Sequence, residues 1–261
     1  MSTTAKTLDT QELEQRVKQM YQEVALEPER EFHFETGRAL AERLGYPPAD
    51  LDRIPAAAID SFAGVGHFVD LADIAPGDTV LDLGSGSGMD SFLASLAAGP
   101  DGRVIGVDMT EEQLAKATRL AAEAGIENAE FRSGYIEEPP VEAKSVDCVI
   151  SNGVINLSPD KPAVFAAVAN VLRPGGRLAL SDIVSTVQLP EGVTCDASLW
   201  AACIGGAMQR DRYHEAIEGA GLEIVEWREN PEYRFVSERA DNAVRKYGVT
   251  SISLLARRPE A

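Results

Sequence analysis

The sequence predicts an α/β fold: a seven-stranded, doubly wound, mostly parallel sheet flanked by helices, with a helical N-terminal cover. Three observations predict it. From Pro76 onward, short apolar runs alternate with stretches of helical period. Those runs lack polar alternation, as strands buried on both faces do. The first run leads directly into a glycine-rich turn and then a helix. At 261 residues and 44% apolar content, the chain is long enough for one large domain with an appended cap and apolar enough for a sizeable core.

The elements follow in order. Leu13, Val17, Met20, Tyr21 and Val24 recur at spacings of three and four, so an amphipathic helix starts at Thr10 and ends or kinks at Pro28. A second helical stretch is expected from Phe32 to Leu44, stopped by Gly45 and Pro47-Pro48. Asp60–Gly66 is rich in small residues and reads as a loop. Strands are expected at Thr79–Leu83, Arg103–Val107, Ala129–Arg132, Val146–Ser151, Arg177–Ser181, Glu223–Arg228 and Val249–Ala256. Helices are expected at Asp90–Ala98, Glu111–Ala124, Pro162–Leu172, Arg212–Ala220 and Ser237–Lys246. The rhythm breaks between 186 and 210, where an insertion either packs on the core or lines a crevice at the carboxyl edge of the strands. The division expected is a helical lid over 1–68 and a core over 69–261.

Charge narrows the function. With 24 Lys plus Arg against 42 Asp plus Glu, the formal net charge is −18, which argues against a nucleic-acid partner. Cys148, Cys195 and Cys203 form no close pair, so no disulfide framework is expected. The N-terminus lacks an apolar signal core, and no run approaches the roughly 20 apolar residues of a membrane span. The expectation is a soluble cytoplasmic protein acting on a small molecule, away from membranes, without a metal; a homodimer is one assembly it admits.

Val80-Leu81-Asp82-Leu83-Gly84-Ser85-Gly86-Ser87-Gly88 is the most informative segment. Glycines there let the backbone turn tightly and approach a ligand closely. Asp108 ends the second strand, where a carboxylate can take both ribose hydroxyls of an adenosine or, alternatively, cap the helix that begins near Glu111. The spacing is Gly-x-Gly-x-Gly, and Asp82 sits two residues before the first glycine. A carboxylate at that mouth repels a pyrophosphate and suits a ligand bearing an ammonium and a sulfonium, which favours S-adenosylmethionine over a nicotinamide dinucleotide.

Those segments, with Gly106–Thr110, Gly134–Glu137, Ser151-Asn152 and Leu172–Gly176, resemble the successive motifs of class I S-adenosylmethionine-dependent methyltransferases, which share a Rossmann-like core. Val149–Lys161 and Leu199–Ala207 are similar to arsenite methyltransferases in particular. The resemblance implies that Gly84, Ser85 and Gly86 pack against the methionine part of the cofactor and that Asp108 holds the ribose. It implies Met109 against the adenine, Gly134, Tyr135 and Ile136 at the adenine edge, and Ser151 and Asn152 beneath the sulfonium. Tyr21 resembles a tyrosine that closes over the cofactor, or is an ordinary core aromatic.

Where the family carries a cysteine after Ser-Asn, this chain has Gly153, and Ser61–Gly66 lacks the family's upstream thiols. Cys203 alone matches a family thiol, with Cys195 in the same insertion. Cys148, inside a strand, reads as an inert buried thiol. A single thiol holds trivalent arsenic poorly, so an organic oxygen, nitrogen, carbon or sulfur acceptor is expected ahead of arsenite. His67, His33 and Cys203 are the candidate catalytic groups, with a surface or structural histidine as the alternative for His67 and a packing role as the alternative for His33. His214 is expected to be solvated. A nicotinamide-dependent oxidoreductase and a non-catalytic cofactor-binding module are the competing functions.

Overall fold

A computed structural model describes residues 8–196, 199–200, 204–236 and 238–260. Among them the sheet has the order β3-β2-β1-β4-β5-β8-β7. Its strands are β1 (Thr79–Leu83), β2 (Arg103–Asp108), β3 (Ala129–Ser133), β4 (Val146–Asn152), β5 (Leu172–Ser185), β7 (Glu223–Glu229) and β8 (Val249–Arg257). A two-residue β6 (Met208–Gln209) pairs with the end of β5. The first five strands run parallel, and β8 enters antiparallel between β5 and β7. All seven expected strands are present. The short β6 was not expected, because two residues carry no periodicity.

Both faces of the sheet are apolar, which is why its strands read as continuous apolar runs. Leu81, Leu83, Val149, Leu178 and Leu180 point to one side, into a cluster with Phe165 and Val168 of α8 (Lys161–Val171) and Tyr213 and Ile217 of α10 (Arg210–Gly219). Val80, Cys148, Ile150 and Ala179 point to the other, against Phe68, Leu71 and Ala94. Here α5 is Val69–Ala72 and α6 is Met89–Ala98. The alternation follows from the period of two along a strand.

The N-terminal helix α1 (Thr10–Leu26) is capped by the Asp9 carboxylate, which accepts from the Gln11 and Glu12 N–H groups. It lies against α7 (Glu111–Ala124). The next stretch departs from expectation: helix α2 covers only Arg38–Leu44, because Gly37 takes φ 86° and breaks the helix before it. Short helices α3 (Pro48–Leu51) and α4 (Ala56–Asp60) follow; of the loop expected at Asp60–Gly66, Asp60 closes α4, and the irregular stretch runs over Ser61–Phe68. These pieces share one apolar cluster with α6 and α7 through Leu40, Tyr46, Phe62, Phe92 and Leu120.

The insertion after β5 contains a one-turn helix, α9 (Glu191–Thr194). Leu189, Trp200, Ile204 and Ala207 pack with Leu13 and Val17 of α1. Of the two readings of this segment, packing is what its described residues show.

One polar cluster ties this region together. The fully buried Asp182 carboxylate accepts from the Tyr213 hydroxyl (2.7 Å), Asn156 Nδ2 (2.9 Å), Asn156 N (3.2 Å) and Ile183 N (2.9 Å). Buried Lys161 donates to the Asn156 and Ser158 carbonyls and stands 4.8 Å from the Trp200 ring. The loop after β4 is thus fixed to β5, α10 and the insertion at once. Asp182→Ala strands these donors without an acceptor and is expected to cost on the order of 3 kcal/mol of unfolding free energy, measured by denaturant titration.

Candidate functional site

The site begins at the carboxyl end of β1, at the switch point where the chain moves to β2 and β3 on one side and β4 and β5 on the other. Here Gly84, Gly86 and Gly88 take φ 74°, 52° and 93°, left-handed values that side-chain-bearing residues avoid. Gly84 is held additionally by space, since a Cβ there would come within 2.7 Å of Val154. The turn is locked by Val107, whose carbonyl accepts from both Gly84 N and Ser85 N. Asp108 finishes the job: one carboxylate oxygen accepts from Gly86 N (2.9 Å) and the other from Thr110 N (2.8 Å). It therefore braces the glycine turn and fixes the turn that leads into α7, whose N-cap, Thr110, makes no side-chain cap bond of its own.

A cavity of about 320 Å³ opens over this turn. Of the residues expected to hold a cofactor, Tyr21, Asp82, Gly84, Ser85, Gly86, Asp108, Met109, Gly134, Tyr135, Ile136 and Asn152 all line it. Ser151 does not; its hydroxyl donates to the Leu83 carbonyl (3.1 Å) and joins β4 to β1. Tyr21 stacks on Phe34 with ring centroids 6.0 Å apart, so both of its proposed roles, wall and packing, coincide in one position.

Helix α1 roofs the cavity with Leu13, Glu14, Val17 and Tyr21. It is held down by polar contacts. Gln113 Nε2 donates to the Tyr21 carbonyl (2.9 Å), Lys116 Nζ to the Ala25 carbonyl (3.0 Å), and the Tyr135 hydroxyl to Glu14 (2.7 Å).

Across from the roof, Asn152 organises the wall. Its side-chain oxygen accepts from Val65 N (2.8 Å), while Nδ2 donates to Asp90 (3.0 Å), the Tyr46 hydroxyl (3.0 Å) and the Gly66 carbonyl (3.1 Å). Phe62, Ala63, Gly64, Gly153, Val154 and Leu157 give this end of the cavity an apolar lining. Gly153 stands at φ 73°, and a side chain there would press on Val65 at 3.1 Å.

The candidate catalytic residues fare differently. His67 is not a wall residue: its ring packs edge-on to Tyr46 (4.6 Å), with Nδ1 3.6 Å from Asp70, and burial lowers its pKa. His33 packs edge-on to Phe34 at 4.8 Å and also stays out of the lining. The structure thus gives His67 a structural place beside Tyr46 and His33 a packing place beside Phe34. Cys203 lies outside the described residues. Cys148 is fully buried in β4, and burial pushes its thiol up to about 12, an inert sulfur as expected. Cys195 is half-buried. His214 is not simply solvated: it lies 4.4 Å from Trp227, with a buried and unpartnered Nε2.

Asp90 is the wall residue that sequence reasoning passed over. It lies in the first turn of α6, accepts from the Tyr46 hydroxyl at 2.6 Å and from Asn152, and is buried. Its position two residues past Gly88 was the available signal. Asp82, at the tip of β1, accepts from the Ser91 hydroxyl (2.5 Å). Burial first, then the Asp90 charge, raises Asp82 to about 8, and burial raises Asp90 to about 6. Ser85 Oγ, also buried in this wall, has no partner. The glycine turn, the buried Asp82 and Asp90, the half-buried Asp108 and an unpartnered hydroxyl fit a nucleoside that carries positive charge.

Comparison with known proteins agrees. The methyltransferase-domain family matches residues 74–221. An arsenite methyltransferase of Halobacterium salinarum is 44% identical over 227 residues, 86% of this chain and 58% of its own. Nocamycin O-methyltransferase of Saccharothrix syringae is 36% identical over 137 residues, 52% of this chain and 49% of that protein. The crystal structure of an arsenic(III) S-adenosylmethionine methyltransferase from Chlamydomonas reinhardtii superposes with a TM-score of 0.65 at 31% identity, covering 86% of this chain and 74% of the other. The chain spans 37–58% of the length of the arsenite methyltransferases matched by sequence.

The raised carboxyl has a consequence for stability. Between the ordinary value of 3.8 and about 8, folded Asp82 keeps a proton that the unfolded chain releases. The ligand-free protein should therefore lose stability as pH rises through that window. Thermal midpoints measured across it should fall for the wild type and fall less steeply for Asp82→Asn.

Proposed function

We propose, since the chain belongs to the methyltransferase-domain family and within it to S-adenosylmethionine-dependent enzymes of the arsenite-methyltransferase type, that it transfers a methyl group from S-adenosylmethionine to a small organic acceptor with an apolar flank. The carrying observation is the cleft itself: a left-handed glycine turn braced by Asp108 at one end, and an apolar wall beginning at Gly153 at the other.

When bound, S-adenosylmethionine supplies an electrophilic methyl on a sulfonium leaving group. What the protein must do is align and desolvate, because an in-line displacement needs the nucleophile held about 3–3.5 Å from the methyl. Asp108 is placed to receive ribose hydroxyls while keeping the glycine turn rigid. Asn152 joins the two walls, since the side chain at the cofactor end also accepts from Val65 N in the loop that carries Phe62 and Gly64. Helix α1 excludes water from above. With His33 and His67 outside the lining, the cleft offers carboxylates, not imidazoles, as proton acceptors.

Arsenite is the second reading, favoured by the identity to the Halobacterium and Chlamydomonas proteins. Against it stand a glycine at 153, where the arsenite family carries a thiol, and an inert Cys148. The experiment is a paired one. Titration calorimetry should detect S-adenosylhomocysteine, and Gly86→Arg should abolish that binding. Labelled methyl should then pass to an organic-extractable molecule in a small-metabolite extract. Methylarsenicals from arsenite and glutathione, absent from a Cys203→Ser control, would instead establish the second reading. Binding without transfer to either would make the chain a cofactor-binding module.

A further inference from the structure

Five carboxyl side chains line the cleft (Glu14, Asp82, Asp90, Asp108 and Glu137), and among the described residues no lysine, arginine or histidine does. Three of the five are engaged elsewhere. Glu14 takes hydrogen bonds from Lys18 and the Tyr135 hydroxyl, Asp108 from Gly86 and Thr110, and Glu137 from the Ser158 hydroxyl. Asp82 and Asp90 differ. They are 3% and 7% exposed, they repel one another, and their hydrogen-bond donors (Ser91 for the first, Tyr46 and Asn152 for the second) are neutral. Two like charges in so dry a place do not both ionise cheaply, so the free pair retains a proton near neutral pH. The raised values of Asp82 and Asp90 agree. In the same wall the buried Ser85 hydroxyl lacks a partner, which marks a polar ligand group as missing.

We propose that Asp82 and Asp90 read the charge on the cofactor's sulfur: the pair gives up its proton to admit the sulfonium form and holds that form more tightly than the neutral spent one. This rests on the cofactor assignment of the preceding subsection. The balance is simple. Entry of the sulfonium displaces one proton to solvent. Transfer of the methyl leaves a neutral thioether, and the pair takes a proton back. An acceptor that loses an O–H or N–H proton on methylation releases one, so the count closes. The groups facing the pair are Tyr46 from the turn after α2, Ser91 from α6, Asn152 from β4 and Asp108 from β2. Of these Asp108 carries charge, and its charge favours the protonated pair. His67 stands behind Tyr46.

Calorimetry of the wild-type protein with S-adenosylmethionine and, separately, S-adenosylhomocysteine tests this, using buffers of different ionisation enthalpy. Near pH 7 the sulfonium form should release up to about one proton more than the spent form. Its affinity advantage should grow at least about tenfold between about pH 5.5 and about pH 7.5. Asp90→Asn, which leaves Asp82 without its carboxylate neighbour, should remove most of that growth in the ratio of the two affinities. Equal proton release with a ratio that ignores pH overturns the proposal, and that arm needs no variant to fold. So does an Asp90→Asn protein whose affinity ratio still grows with pH as the wild type's does. If neither ligand binds the wild type, the cofactor assignment itself falls, a separate and recognisable result.

Discussion

Everything in the cleft depends on a backbone constraint: three left-handed residues within five positions, directly after a strand buried from Val80 to Leu83. Only glycine makes that path inexpensive. The path is set by partners on the next strand, the Val107 carbonyl and the Asp108 carboxylate, which hold the turn's N–H groups. As a result β1 and β2 must pair in register before the turn has a defined shape. The ligand-binding surface is therefore a property of the sheet, and α1, the Ser61–Phe68 loop and the loop after β4 are arranged around it.

Charge then selects among the ligands that such a turn admits. The N–H groups of Gly84, Ser85, Gly86 and Gly88 are taken up within the protein and so are not offered to an anion. Here the same turn is surrounded by carboxylates, with Asp82 and Asp90 buried in its wall. Because the two would repel if both ionised, the empty pair keeps a proton, and a cationic ligand favours its fully charged form. The chain's overall acidity of −18 adds long-range attraction for the same kind of ligand.

Much of this was legible in the sequence, for identifiable reasons. The strands were, because burial on both faces writes an uninterrupted apolar run at 79–83 or 146–151. The glycine turn and Asp108 were, because backbone geometry demands those residue types at that spacing. Other features were not. Phe32–Leu44 has helical composition, yet Gly37 stops the helix until Arg38. His67 sits beside the cleft in sequence order, but Tyr46 from a distant turn stands next to it and carries the contact to Asp90. Asp90 itself was missed because its importance comes from burial and from Asn152, both tertiary facts. The acceptor end has no polar signature at all: glycines and apolar side chains define space without naming what fills it.

The central claim is that an S-adenosyl nucleoside occupies the cleft at the carboxyl end of β1. A crystal structure with S-adenosylhomocysteine tests it most directly. The account predicts the ribose hydroxyls on the Asp108 carboxylate, the adenine between Met109 and Ile136, and the sulfur facing the Asn152–Gly153 wall beneath α1. Nucleoside density elsewhere, or a glycine turn filled by the protein's own side chains, would contradict it.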